Sequence, residues 1–432
     1  MKQILILLVL ATNCAVAQLQ SGPMLGHIDL REAKIWAQSA QTGVLQLQYR
    51  ASNSTTWLDG SAVTTKEESA RTAAFTLGNL NPGTKYQYRL LFNGKPVLGT
   101  DTLYFSTQSL WQHRTDPPAF KVAIGSCTYV NEERFDRPGK PYGGEYQIFN
   151  SIVLKQPDLM LWLGDNIYLR EPDWSSLSGI QHRYSHARMI PELQQLLRYC
   201  SHYATWDDHD YGPNDATKSW IHKSSSKLAF TQFWANPTYG TPELTGITTA
   251  FRHNDIDFFL LDDRWYRTSE RLVDSCSREM LGHDQIEWLI DALKYSNAPY
   301  KIVANGSQIL NTEALYENYA QYPCERERLL DRIAAEGIKN VIFVSGDRHH
   351  SEISRVTHKG MVIHDITSSP LTSSVGRSRE NEINKNRIPG SLFLERSFAM
   401  LEFSGERKAR RLNVVFYNNS GVELFRYEIP SL

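Results

Sequence analysis

Residues 159–168 read Leu-Met-Leu-Trp-Leu-Gly-Asp-Asn-Ile-Tyr. Five consecutive apolar residues without polar alternation describe a strand buried on both faces, and a glycine, a carboxylate and a phenol follow where the chain must leave the sheet. Strands covered on both faces belong to layered α/β folds, in which ligands gather beyond the carboxyl ends of the strands. Other strands of this chain should therefore end in matching chemistry.

From residue 120 onward, buried runs alternate with segments of helical spacing. The runs 120–127, 202–208, 256–262, 300–305 and 340–347 read as strands, and 145–155, 183–199, 227–236, 283–295 and 326–337 as helices. The tail 361–429 reads mostly as strand and hairpin. This alternation predicts an α/β domain over 119–432, with two sheets sandwiched between helices. Ahead of it, 22–107 carries short alternating strands separated by turn signals such as Asn81-Pro82-Gly83 and Asn93-Gly94, the pattern of a small all-β sandwich. Residues 80–88 resemble the corner of a fibronectin type III domain. The stretch 108–118, with Pro117-Pro118, reads as a linker. The sandwich lacks any cluster of His, Cys and carboxylates, so it is expected to serve structure or substrate gating and no chemistry.

The formal net charge is -1. With no basic excess, long-range attraction to nucleic acid or an anionic membrane is not supported, and an anionic substrate must be held locally. Residues 1–17 combine Lys2, the apolar run 4–11 and Ala15-Val16-Ala17, the pattern of a secretory signal peptide, which places the protein in the periplasm, outside the cell or at its surface. No later run is long enough to span a membrane. In that compartment disulfides persist. Cys276 and Cys324 both lie in polar, loop-like sequence and are the expected pair, whereas Cys200 ends a helical pattern and reads as a buried small hydrophobe.

The strand ends carry the chemistry. Cys127 closes the first strand, Asp165 and Tyr168 follow the second, Asp207-Asp208-His209-Asp210 the third, Asn305 the fifth and Asp347-Arg348-His349-His350 the sixth. A single carboxylate after a strand is often only a cap for the next helix. Five strand ends with metal-competent side chains are not explained that way. A thiolate, a phenolate and an imidazole suit a transition metal, with thiolate and phenolate together favouring ferric iron. Carboxylates and an amide oxygen suit calcium, manganese or magnesium. Asp165 lies between the two classes as the natural bridge, and two metals about 3.5–4 Å apart form a clamp for phosphoryl transfer.

Together Gly125-Ser-Cys127, Gly164-Asp-Asn-Ile-Tyr168, Trp206-Asp-Asp-His-Asp210 and Ser345-Gly-Asp-Arg-His-His350 resemble the PhoD-like alkaline phosphatases, a branch of the calcineurin-like metallophosphoesterases. The resemblance covers residue 120 to the C-terminus. It implies a four-layer α/β/β/α sandwich with an iron (Fe3+) held by Cys127, Asp165, Tyr168 and His349. It also implies one or two calcium ions near Asp165, Asp208, Asn305 and Asp347. The activity it implies is hydrolysis of small-molecule or lipid phosphoesters, monoesters and also diesters, by a metal-bridging hydroxide. The third motif departs from the Asp-Asp-His-Glu common in the family, because Asp210 is followed by Tyr-Gly-Pro-Asn-Asp215. The calcium count and the substrate preference therefore stay open.

Asp165, Asp208 and His209 are the expected catalytic residues, with His209 protonating the leaving alkoxide or binding a phosphate oxygen. Arg348 and Asn214 are expected beside it as substrate contacts, although strand alternation would turn Arg348 away from His349. Asp262 and Arg264 read as a buried supporting pair, and Glu325 as a helix start or support. Alternatives are a phosphodiesterase or phospholipase-type enzyme and a non-catalytic surface binding protein that keeps metals for stability.

Overall fold

A computed structural model describes residues 18–97, 99–100, 103–376 and 381–431. The expected signal peptide, 1–17, lies outside them. Apolar alternation sets the layers. In the strand Leu159–Leu163, Leu159, Leu161 and Leu163 join Val122 and Ile124 in a core shared with Phe258, Leu260, Ile302 and Val344 of a second sheet. Met160 and Trp162, on the opposite face, pack with Phe149, Ile152, Tyr184 and Leu196 of the covering helices. On the far side, Phe259, Val303 and Phe343 meet Ile286, Leu289, Leu329 and Ile333 of the helices His283–Tyr295 and Pro323–Ala335. Period-two burial on both faces of both sheets gives four layers, α/β/β/α.

Among the described residues the first sheet has nine strands and the second six. Phe120–Gly125, Leu159–Leu163 and Ser201–Thr205 run parallel in the first, and Ile256–Leu260, Lys301–Ala304, Val341–Ser345 and Met361–Thr367 run parallel in the second. Their carboxyl ends converge at one edge of the sandwich.

The N-terminal β-rich region is joined to this core. Leu19–Ile28 pairs in parallel with Ser201–Thr205 at Leu25 and Ser201, so Leu19–Ile28, Ala33–Ser39 and Thr72–Leu77 extend the nine-stranded sheet. Gly26 makes the close approach: a Cβ there would meet that of Ala235 at 2.4 Å. The Trp36 indole donates to the Gln232 carbonyl at 2.7 Å. The remaining strands, Leu58–Thr65, Gly43–Ala51, Lys85–Phe92, Lys95–Pro96 and Leu103–Ser106, form a separate sheet that closes a core of Ile35, Leu45, Leu47, Phe75, Tyr88 and Leu90. Segment 108–118 separates stretches of chain, while the sheet itself runs on across them.

Among the local readings that change, two lie around the third strand. The helix expected over 183–199 is two, Leu177–Ala187 and Pro191–Tyr199, because Pro191 has no amide hydrogen to continue the first and opens the second. The third strand ends at Thr205, and Asp208 already lies in the short helix Asp208–Tyr211, whose N-cap is Asp207. Cys276 and Cys324 are joined in a disulfide, and Cys200 is a buried free thiol. Glu325 accepts from the amides of Met280, Leu281 and Gly282 at 2.7–3.1 Å, fixing the entry to the helix His283–Tyr295. Among the described residues no helix is long and apolar enough to cross a membrane.

Candidate metal centre and cleft

Four residues after the strands adopt left-handed backbone angles: Cys127 (φ 59°), Asp165 (51°), Asp347 (61°) and His349 (56°). Non-glycine residues rarely take this conformation, and it persists where the surroundings over-determine it, commonly at functional sites. Glycines let the turns close. A Cβ on Gly164 would lie 2.6 Å from that of Asp207, and one on Gly306 2.6 Å from the Asp207 carboxyl carbon, so turns from both sheets meet at Asp207.

Asp165 stands between two groups of donor atoms, each group within 4.8 Å: Cys127, Asp165 and His349 on one side, Asp165, Asp208 and His209 on the other. On the first side the Tyr168 hydroxyl lies 2.9 Å from Asp165 Oδ2 and 3.1 Å from His349 Nε2, and Cys127 Sγ lies 3.6 Å from the same carboxylate oxygen. His349 Nδ1 is 2.6 Å from the Ser374 carbonyl, which can only accept, so the proton sits on Nδ1 and Nε2 presents its lone pair to the cluster. The Ser369 hydroxyl donates to Cys127 Sγ at 3.1 Å and accepts from the His349 amide at 2.9 Å.

On the second side Asp208 Oδ2 accepts from the Asp215 amide at 2.9 Å and lies 3.8 Å from His209 Nε2. The His209 amide reaches Asp165 Oδ1 at 3.3 Å, and its ring lies against Tyr168 at a tilt of 32°, with centroids 4.2 Å apart. Asn305 is fully buried and spends its Nδ2 on the Ser307 carbonyl at 2.7 Å. No described residue hydrogen-bonds to Asp207 Oδ2, Asp208 Oδ1, Asp263 Oδ1 or Asn305 Oδ1, four buried oxygens. Such atoms cost free energy unless something positive faces them.

Electrostatics point the same way. Burial, with Asp208 and Cys127 beside it, holds Asp165 well above the carboxylate range, and burial with the Asp347 charge pushes the Cys127 thiol up to about 11. Tyr168 is raised by burial and the Asp165 charge. For Asp208, burial is outweighed by His209 and Arg264, which pull it down to about 2. These shifts favour the protonated thiol, phenol and bridge, and a cation would work against them by displacing the protons. The orphaned oxygens and the donor set therefore fit two cations, a soft-ligand one beside Cys127, Tyr168 and His349 and a hard-ligand one beside Asp208 and Asn305.

The structure corrects Arg348. It is fully buried, its guanidinium 2.5 Å from Glu382 and donating to the Leu315 carbonyl at 2.8 Å, and so is held away from the cleft. The left-handed residues on either side of it aim it into the protein. Arg264 is buried as expected but pairs with Asp207 and with Glu317 at 2.8 Å, while Asp262 accepts from the Trp206 indole at 2.7 Å. Further buried carboxylates stand beside these residues: Asp207 and Glu317 share a donor group with Asp208, and Asp263 Oδ2 lies 3.4 Å from Asn305 Nδ2. Asp207 was visible as the first of two adjacent aspartates; Glu317 lies in a loop with no pattern to mark it.

A cleft of about 800 Å³ opens over the cluster, with Tyr168, His209 and Asn214 among its lining residues. Residues 122–405 match the family model of the PhoD-like phosphatases. The chain belongs to the PhoD-like phosphatase family. Residues 16–109 match a second family model, that of a domain of unknown function, DUF7800. Alkaline phosphatase D of Bacillus subtilis (strain 168) is 24% identical over 329 residues, 64% of this chain and 53% of that protein, so the chain spans about half the length of this curated relative. Among solved structures, PhoD superposes with a TM-score of 0.76 at 16% identity, covering 98% of this chain and 94% of that one. Purple acid phosphatase PPD1 from yellow lupin (Lupinus luteus) seeds gives 0.67 at 12% identity, covering 94% and 74%. The PhoD-like fold thus includes the N-terminal β-rich region as well as the four layers.

Proposed function

We propose that the protein is an exported metal-dependent phosphoesterase whose main substrates are phosphate monoesters. The observation that carries this is Asp165, a buried carboxylate within 4.8 Å of a thiol–imidazole pair on one side and a carboxylate–imidazole pair on the other, at converging strand ends. Cys127, Asp165, Tyr168 and His349 would hold iron, and Asp165, Asp208, Asn305 and Asp347 calcium, with Asp207 and Asp263 supplying further oxygens nearby. Bound together, the ions would polarise the phosphoryl group and lower the pKa of the attacking water.

The chain's own groups do the rest. Burial lowers the His209 pKa, and Asp208 Oδ2, 3.8 Å from Nε2, works against that and orients a proton onto that nitrogen; the ring lines the cleft, where it can give the proton to the departing alkoxide. Contact with the Tyr168 ring restricts the orientation of the imidazole. Asn214, at the rim, can donate to a phosphate oxygen. Export is supported by the pattern of 1–17 and by the disulfide Cys276–Cys324, which would not persist in a reducing compartment.

The test is turnover of 4-nitrophenyl phosphate against bis(4-nitrophenyl) phosphate by protein with measured metal content. Faster monoester hydrolysis with iron and calcium bound is expected. Faster diester hydrolysis would make the enzyme a phosphodiesterase, and no turnover of either by metal-loaded protein would refute the reading.

A further inference from the structure

One wall of the cleft is built by residues 129–144, between the strand Phe120–Gly125 and the helix Ile148–Leu154, and the chemistry above does not use it. The loop is fastened at both ends: Asn131 donates to the Gly143 carbonyl at 2.8 Å and accepts from its amide at 2.9 Å. Inside it, Asp136 accepts from the Glu132 amide at 2.7 Å, the Tyr129 hydroxyl at 2.9 Å and Arg170 at 2.8 Å. The Arg170 guanidinium lies 3.9 Å from the centre of the Tyr129 ring. A wall tied this way is preorganised and pays little ordering entropy on binding.

The wall presents two kinds of group. Nearest the cluster are aromatic rings: Tyr129 is 5.1 Å from Tyr168, and Tyr142 is 4.8 Å from Tyr129 and 6.0 Å from His349. The lining also carries two exposed cations, Arg137 and Lys140, with no ion pair to any described carboxylate; Arg170 is already matched by Asp136, leaving Glu171 as the opposing charge on the lining. A phosphoryl group at the cluster would place its alcohol moiety against the rings, in a cleft whose lining also carries the two cations.

We propose that the 129–144 wall selects the alcohol moiety of the substrate: an aromatic ring next to the reacting phosphate, held by Tyr129 and Tyr142, carrying a second anionic group held by Arg137 and Lys140. This rests on the phosphoesterase reading. The tilted rings favour an aromatic moiety by contact and burial, and the cations favour the anion through a screened Coulomb attraction.

Three esters of alcohols of similar acidity test it: propyl phosphate, 2-phenylethyl phosphate and 2-(4-carboxyphenyl)ethyl phosphate, with wild type, Tyr142→Leu and Arg137→Ala/Lys140→Ala. For wild type, kcat/KM should rise roughly fivefold from propyl to phenylethyl and roughly fivefold again with the carboxylate, the second step shrinking in 1 M salt. Tyr142→Leu should remove the first step and the double variant the second, each through KM. Equal kcat/KM for the three esters, or a variant that weakens all three alike, as general steering would, overturns the proposal. If wild type hydrolyses none of them, the phosphoesterase reading fails by itself. Calorimetric binding of the same esters then decides about the wall: the same ranking upholds it, and equal affinities overturn it.

Discussion

The two sides of Asp165 are built on opposite plans. On the Cys127 side every donor faces another, with the Tyr168 hydroxyl between Asp165 and His349 and the Ser369 hydroxyl on Cys127, so with its protons in place that side can sit neutral. On the Asp208 side four buried oxygens, on Asp207, Asp208, Asp263 and Asn305, have no hydrogen-bond donor among the described residues, and the nearest compensation is the guanidinium of Arg264. One side is closed by hydrogen bonds and the other waits for positive charge. The difference teaches that the hard-ligand side should depend on its cation for stability, and the soft-ligand side chiefly for chemistry.

The largest effect should come from removing the protein's own counter-charge. Arg264→Met leaves Asp207 without its cation and Glu317 with Arg267 alone, at 2.8 Å. A loss of about 3–5 kcal/mol is expected in metal-stripped protein, read as a lower Tm, with a smaller loss once calcium is added. Equal losses with and without calcium would break the contrast between the two sides.

Asp165→Asn comes next. As the residue shared by both donor groups, it should lose both metals together and drop kcat/KM by more than about a hundredfold. A variant that keeps either metal at full occupancy would show that the two sides are not bridged. Asn305→Leu is narrower: it removes one orphaned oxygen and should weaken calcium about 10–100-fold while iron stays, both read by elemental analysis after dialysis. The smallest effect is expected from Ser369→Ala. Losing the hydroxyl 3.1 Å from Cys127 Sγ should shift the thiolate-to-iron absorption band and change turnover by about tenfold or less, with calcium untouched.

The soft-ligand side was also the more legible of the two in sequence. Cys127, Tyr168 and His349 are rare residue types at strand ends, and type alone singles them out. The hard-ligand side is made of common aspartates whose roles depend on parity. The run 256–262 reads as a strand ending at Asp262, but the strand stops at Leu260, and the orphaned carboxylate belongs to Asp263, one residue on, while Asp262 serves the Trp206 indole. One residue of register exchanges a supporting side chain for a site one. Arg348 failed for a related reason, since side-chain direction in the turn after Val341–Ser345 is set by the left-handed residues 347 and 349, which a pattern of residue types does not reveal. The layers followed from alternation. The parallel pairing of Leu25 with Ser201 did not, because a contact across that much chain has no local signal.

Anomalous diffraction at the iron edge from crystals of the purified protein tests the division most directly. One iron peak is expected among Cys127, Asp165, Tyr168 and His349, and a lighter ion without an iron signal beside Asp208 and Asn305. Iron on the Asp208 side, or zinc alone in both positions, would contradict it.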